Sequence, residues 1–199
     1  MGSNEGVGNH FYPRSILMQK RLHLGCGKNY LPPSEGWINH DLFSSLQADI
    51  YADMAALPFE KNTFDLVYAG HVAEHCHRRA VLATFAHWRD ILKPGGTLRI
   101  AVPNFAACVE WYNETGDLTS ILGLLYAGQN HPKNNHYIIF DKKTLTEHLT
   151  KVGFVDVREW DWRTTDHAEY DDYASCYLPH LDKANGKLMS LNLQATKPL

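Results

Sequence analysis

No segment of this chain strings together the roughly 18 apolar residues that a membrane-spanning helix requires, so no membrane partner is expected. An excess of one charge sign is lacking too. The 19 Lys and Arg stand against 22 Asp and Glu, a net charge of −3 at pH 7. That balance gives no general pull toward nucleic acid or an anionic surface, and no basic, aromatic-rich patch points to nucleic acid. Cysteine is scarce: Cys26, Cys76, Cys108 and Cys176 are widely spaced and form no Cys-x-x-Cys pair. A disulfide framework would suit a shorter, secreted chain, so four free thiols in a reducing, cytoplasmic compartment are expected. The first residues lack the charged and apolar blocks of a signal peptide. Met1-Gly2 invites a lipidation reading, but Gly6 stands where Ser or Thr is wanted. Residues 1–20 therefore read as a flexible tail.

What is present fits one soluble domain. The 199 residues are 44% hydrophobic and 21% charged, enough for a full core. Short β-like runs alternate with helical patterns, which favours a largely parallel α/β sheet. Strands are expected at Arg21 to Leu24, Trp37 to Asp41, roughly Ala48 to Ala52, and Phe64 to Ala69. Val81, Leu82, Phe85, Trp88 and Leu92 recur at helical spacing within Arg78 to Leu92, and Pro94-Gly95-Gly96 then turns the chain. A strand follows at Thr97 to Val102. Asp141 can cap a helix carrying Leu145, Leu149 and Val152, which Gly153 ends. Two more strands are expected, at Phe154 to Trp160 and Leu188 to Ala195. Residues 104–140 are irregular and aromatic, an insertion within the domain 21–199. Arg163 to Lys187 is a long polar connection.

In an open parallel sheet, ligands bind at the carboxyl ends of the strands. Here those ends carry Gly25-Cys26-Gly27-Lys28-Asn29, then Asp41, then Asp53-Met54, then Gly70-His71. A lone Gly-x-Gly is weak evidence, since a tight turn explains it. The ordered set is far stronger. The phosphate-binding P-loop pattern is not met at Gly27-Lys28, and a dinucleotide fingerprint would want glycine at Tyr30.

The strings RLHLGCGKN from Arg21, GWINHD ending in Asp41, LPFEKNTFDLVYAGHVAEH from Leu57 and LKPGGTLRIAVPN from Leu92 together resemble the class I S-adenosylmethionine-dependent methyltransferases. The small-molecule branch that acts in quinone biosynthesis is the most similar. The resemblance implies a three-layer Rossmann-like sheet of seven strands with the last antiparallel, and S-adenosylmethionine as the cofactor, released as S-adenosylhomocysteine. It implies that Gly25, Cys26 and Gly27 line the methionine part, that Asp41 holds the ribose hydroxyls with Leu42 beside it, and that Asp53 and Met54 flank the adenine. Gly70 and His71 would lie near the sulfonium. His23 occupies the place of an acidic residue that contacts the amino acid part, and Asn29 replaces a third glycine. The segment between Gly27 and Trp37 leaves room for only a very short crossover helix. Some methyltransferases of surface-polysaccharide synthesis are similar there, which implies a sugar-type acceptor.

His71-Val72-Ala73-Glu74-His75 also matches the His-x-x-Glu-His pattern of inverted zincins. The reading taken instead is that Glu74 and His75 begin the next helix and hydrogen-bond locally, with no metal ligand set in the chain. Glu169, Asp171, Asp172, His180 and Asp182 read as a solvated acidic loop in preference to a hard-cation site. His71, His75 and His136 are the candidate general bases, in that order, for a hydroxyl on a small polar acceptor. The insertion, with Phe105, Trp111, Tyr112 and Tyr126, is expected to pack over the strand ends as a lid. A noncatalytic module that only binds S-adenosylmethionine, and a nicotinamide-dependent oxidoreductase, are the alternatives.

Overall fold

A computed structural model describes residues 18–199, so most of the expected N-terminal tail falls outside it. Chain order gives β1 (Arg21–Leu24), β2 (Trp37–Asp41), β3 (Ile50–Tyr51), β4 (Phe64–Gly70), α1 (Val81–Ile91), β5 (Leu92–Pro103), α2 (Phe105–Thr115), α3 (Leu122–Tyr126), α4 (Lys142–Lys151), β6 (Val155–Glu159), β7 (Tyr177–Leu178), β8 (Lys187–Leu188) and β9 (Ser190–Thr196). Seven strands form one sheet in the order β3-β2-β1-β4-β5-β9-β6. The pairs among β1 to β5 are parallel, and β9 runs antiparallel between β5 and β6. β7 and β8 pair separately.

Strand alternation sorts the side chains between two faces. Leu22, Leu24, Val67, Ala69, Leu98, Ile100 and Val102 share one core with Val81, Phe85, Trp88 and Ile91 of α1 and Leu145 and Leu149 of α4. The α1 residues recur every three or four positions, which is why that stripe is apolar and buried. Asp141 caps α4: its Oδ1 accepts the Thr144 N–H at 2.7 Å, and the Thr144 hydroxyl meets the Asp141 N–H at 3.1 Å. Gly153, at φ +90°, turns the chain out of the helix end.

The opposite face is closed by chain without α-helix, in which two short 3-10 turns occur, Trp162–Thr164 and Tyr173–Ser175. Leu31, Trp37, Leu66 and Tyr68 pack there against Trp160 and Tyr170. His167 is buried against Tyr68 and Trp37, and Asp166 accepts from Arg21 at 2.8 Å and Arg99 at 3.1 Å. The Tyr68 hydroxyl donates to the half-buried carboxylate of Asp172. The long polar connection is thus pinned to the sheet by charge-assisted bonds and stacked rings. Asp171 accepts from Lys183 at 2.7 Å and from the Ser175 hydroxyl at 3.0 Å, so these two carboxylates serve the packing of that segment.

Several boundaries moved. The β1–β2 crossover is a single 3-10 turn, Pro33–Glu35, and β3 is shorter than expected. Leu92 leaves the helix and already pairs with Phe64, so the Pro94-Gly95-Gly96 turn is an irregularity inside the β4–β5 ladder, which resumes at Leu66 and Thr97. The expected last strand divides at Met189 into β8 and β9. The insertion holds two helices, and its ends meet where Asn104 bridges Phe140. No helix among the described residues is long and apolar enough to cross a membrane.

Candidate active site at the strand tips

A cavity of about 890 Å³ opens at the carboxyl ends of β1, β2 and β4. Such a volume is ample for a nucleoside-sized ligand with an acceptor beside it. Asp41, Leu42, Asp53, Met54, Gly25 and Gly27 line it, and so do His71 and His75.

Asp41 is 5% exposed. Its Oδ2 accepts the Gly27 N–H at 2.9 Å and its Oδ1 the Phe43 N–H at 2.9 Å. A carboxylate offers about four acceptor positions, so two remain for a diol. Gly27, at φ +56°, has nothing nearer than 4.0 Å where a Cβ would stand, which leaves backbone open to a ligand. Gly25 differs: at φ +60°, a Cβ there would meet Val72 Cγ2 at 2.3 Å. Only glycine lets that turn sit on Val72. His40 ties the floor together, with Nε2 2.9 Å from the Ala52 carbonyl and Nδ1 facing the Gly25 N–H at 3.5 Å. These features fit S-adenosylmethionine: a buried carboxylate for a ribose, an open glycine backbone, and Asp53 at the far wall with Met54.

Three expected cofactor contacts lie elsewhere. His23 is the third residue of β1, so its side chain leaves on the face opposite Leu22 and Leu24. It is 3% exposed, stacked on Tyr68 at 5.3 Å, and burial lowers its pKa to about 4. It does not line the cavity. The Cys26 thiol turns toward the Gln47 carbonyl at 3.5 Å, and burial pushes it up to about 11. Gly70 makes room for Tyr68, whose hydroxyl stands 2.8 Å from where a Cβ would be.

The three candidate bases converge on Glu74, expected to begin a helix and to hydrogen-bond locally. Glu74 sits in a 3-10 turn, Ala73–His75, and not at a helix start; α1 begins at Val81. It is 1% exposed, and neither carboxylate oxygen has a hydrogen-bond partner. Burial raises its pKa to about 8. His71 Nδ1 lies 3.5 Å and His136 Nε2 3.9 Å from Glu74 Oε1, while the rings of His75 and His136 meet edge to face at 4.8 Å. Burial lowers His71 to about 3 and His136 to about 4, and moves His75 in the same direction, so all three are neutral near pH 7. His136 does not itself line the cavity. His71 has a left-handed backbone, φ 52°, at the sharp exit from β4; such strain in a non-glycine residue is characteristic of functional sites.

The insertion forms the opposite wall through Asn130, His131, Lys133, Asn134 and Tyr137. His131 touches Phe43 edge to face at 4.8 Å, which joins the insertion to the loop after β2. Phe43, His77 and Ser190 were missed in the sequence; Glu74 was visible only as part of His-x-x-Glu-His, where its isolation from any donor could not be read.

A family model described as a methyltransferase domain matches residues 39–100. A sterol 24-C-methyltransferase of Kluyveromyces lactis is 28% identical over 149 residues, which is 72% of this chain and 35% of that protein. The chain therefore spans about a third of the length of that curated relative. A methyltransferase of Archaeoglobus fulgidus superposes with a TM-score of 0.57 at 15% identity, over 90% of this chain and 86% of that one. The 1,6-didemethyltoxoflavin-N1-methyltransferase of Burkholderia thailandensis, solved with S-adenosylhomocysteine, gives 0.55 at 14% identity over 91% and 72%. Strand order and strand-tip cavity agree with the fold of these S-adenosylmethionine-dependent methyltransferases, and residues 39–100 match the methyltransferase-domain model.

Proposed function

We propose that this protein transfers a methyl group from S-adenosylmethionine to a hydroxyl of a small polar acceptor, with a sugar or saccharide as the preferred class. The observation that carries the reading is Asp41, buried and doubly fixed by backbone N–H groups, yet facing a cavity that also reaches His71 and His75. The same cavity is thus lined by a carboxylate suited to a nucleoside diol and by the neutral imidazoles of His71 and His75.

When bound, S-adenosylmethionine would supply a methyl carbon on a positive sulfur, activated for transfer to an acceptor oxygen with the carbon–sulfur electron pair left on sulfur. The chain's own residues have the remaining tasks. Asp41 and the Gly27 backbone orient the nucleoside. The acceptor hydroxyl has a high pKa and must lose its proton as the new bond forms. The imidazoles of His71 and His75 line the same cavity and are the candidates to receive that proton. Asn130, Asn134, Lys133 and Tyr137 offer hydrogen bonds to a hydroxyl-rich acceptor, which supports the saccharide class.

The test incubates the full chain with S-adenosylmethionine and a panel of nucleotide sugars and saccharides. Mass spectrometry should show an acceptor gaining one methyl, with stoichiometric S-adenosylhomocysteine. Methylation of amines alone would overturn the hydroxyl assignment. Cofactor binding without turnover on any acceptor would leave a binding module, and failure to bind the cofactor would overturn the whole reading.

A further inference from the structure

The hydrogen bonds around Glu74 fix where the imidazole protons are. Leu124 O and Asn135 O are carbonyls and can only accept. His136 Nδ1, 2.9 Å from the first, and His75 Nδ1, 3.0 Å from the second, therefore carry their protons. Each Nε2 is left with a bare lone pair. His71 resolves through a chain of bonds. Asn192 Nδ2 donates to Ala174 O at 2.9 Å, so its Oδ1 accepts the Ser190 hydroxyl proton at 2.8 Å. Ser190 Oγ must then accept from His71 Nε2 at 3.0 Å, which leaves Nδ1 bare and facing Glu74. Imidazole lone pairs and the Glu74 carboxyl group thus share one spot in the fold, and apart from a proton on Glu74 itself no donor from the described residues reaches the carboxyl oxygens. Acceptors gathered without a donor repel one another and are costly to bury.

We propose that Glu74, His75 and His136, with His71 as fourth ligand, form a binding site for a divalent transition-metal ion of the zinc type. The ligand atoms of Glu74, His75 and His136 already lie within 4.8 Å of one another. A tetrahedral zinc site places its ligand atoms about 3.3 Å apart; the His71–Glu74 spacing of 3.5 Å is close to that, whereas the spacings of up to 4.8 Å among Glu74, His75 and His136, and the wider ones from His71 to the other imidazoles, require the side chains to draw in around an ion. Three imidazoles and one carboxylate favour zinc or its transition-metal neighbours over Mg²⁺ or Ca²⁺, which prefer oxygen throughout. The outer nitrogens held by Leu124, Asn135 and Ser190 are the second-shell bonds that orient metal-binding histidines. His71 and His75 also line the large cavity, so the ion has a face toward the acceptor. There it would polarise an acceptor hydroxyl and ease loss of its proton to water. That last role rests on the methyltransferase reading; the metal site does not.

The experiment titrates metal-free full-length protein with Co²⁺, followed by visible ligand-field absorption, and with Zn²⁺ against a chromophoric chelator. One equivalent should bind. Glu74→Gln and His136→Gln should each weaken Zn²⁺ by at least about 100-fold and abolish the Co²⁺ spectrum. His180→Gln, on an exposed residue remote from the cluster, should change neither. Circular dichroism checks folding, and His136→Gln carries the test if Glu74→Gln does not fold. No tight equivalent, or undiminished affinity in both variants, overturns the site in favour of a proton shared between Glu74 and the imidazoles. Calorimetry with S-adenosylmethionine is run separately. Metal uptake without cofactor binding would sink the methyltransferase reading alone, whereas cofactor binding without metal uptake would sink this inference alone.

Discussion

Asp41 accepts the backbone N–H of Gly27 at 2.9 Å, so the carboxylate that faces the cavity also fixes the loop beneath it. The two jobs are inseparable. Any change at Asp41 alters both the cavity-facing carboxylate and the shape of the turn after β1.

Asp41→Ala should weaken S-adenosylmethionine binding about 10- to 100-fold, since a charge-assisted hydrogen bond contributes roughly 1.5–3 kcal/mol. Calorimetric titration of the two proteins checks this. Equal affinities would remove Asp41 as the ribose partner.

Gly25→Ala and Gly27→Ala should fail in different ways. Both positions have positive φ, which costs an alanine roughly 1–2 kcal/mol. Alanine at 25 must also displace Val72, whose Cγ2 would stand 2.3 Å away, so the denaturant midpoint should drop further there. Alanine at 27 meets no protein atom closer than 4.0 Å, so its cost should fall mainly on cofactor affinity. Identical stability losses in the two variants would contradict the packing assigned to Gly25.

His75→Ala should lower turnover about 100-fold or more while leaving S-adenosylmethionine affinity nearly unchanged. His75 lines the cavity, and its hydrogen bond runs to the Asn135 carbonyl and to neither Asp41 nor Gly27. Steady-state kinetics set against a binding isotherm separates the two effects. A parallel loss of both would place His75 in the cofactor site.

Acid should destabilise the fold through His23. Its pKa is depressed from 6.5 to about 4 by burial, so between those values the unfolded chain takes up a proton that the folded chain refuses. Stability contributed by the neutral ring is therefore complete above pH 6.5 and is lost as pH falls toward about 4, by roughly 3 kcal/mol. His167, also lowered to about 4, adds in the same direction. His23→Phe keeps an aromatic ring beside Tyr68 and should flatten this part of the curve of unfolding free energy against pH. An unchanged slope would mean that His23 does not titrate as assigned.

Tyr68→Phe should cost about 1–3 kcal/mol, because Asp172 Oδ2 loses its donor while Oδ1 keeps only the Ala174 N–H at 2.8 Å. Limited proteolysis should then cut faster within residues 160–176. Wild-type resistance there would show that the stacked rings alone hold the segment.

The strands were legible because β1, β4 and β9 alternate or run apolar between turn residues, and α1 because Val81, Phe85 and Trp88 fall on one stripe. Alternation also contained the error at His23. A residue between Leu22 and Leu24 points away from them, but the sequence does not say which face carries the helices. Gly70 misled for a similar reason: glycine beside a cavity and glycine beside a tyrosine look alike until the tyrosine is placed.

By itself the sequence determined the parallel sheet, the chain reversals and the row of Gly25, Gly27, Asp41 and Asp53 at its tips, because these depend on short-range periodicity and on residues tied to the end of their own strand. Tertiary structure alone decided that His136, 62 residues downstream, faces Glu74, and that no hydrogen-bond donor from another described residue reaches that carboxyl group. Burial and missing partners are properties of everything that packs around a side chain. A motif of five residues can state which groups are adjacent, but only the folded chain states what has been excluded from them.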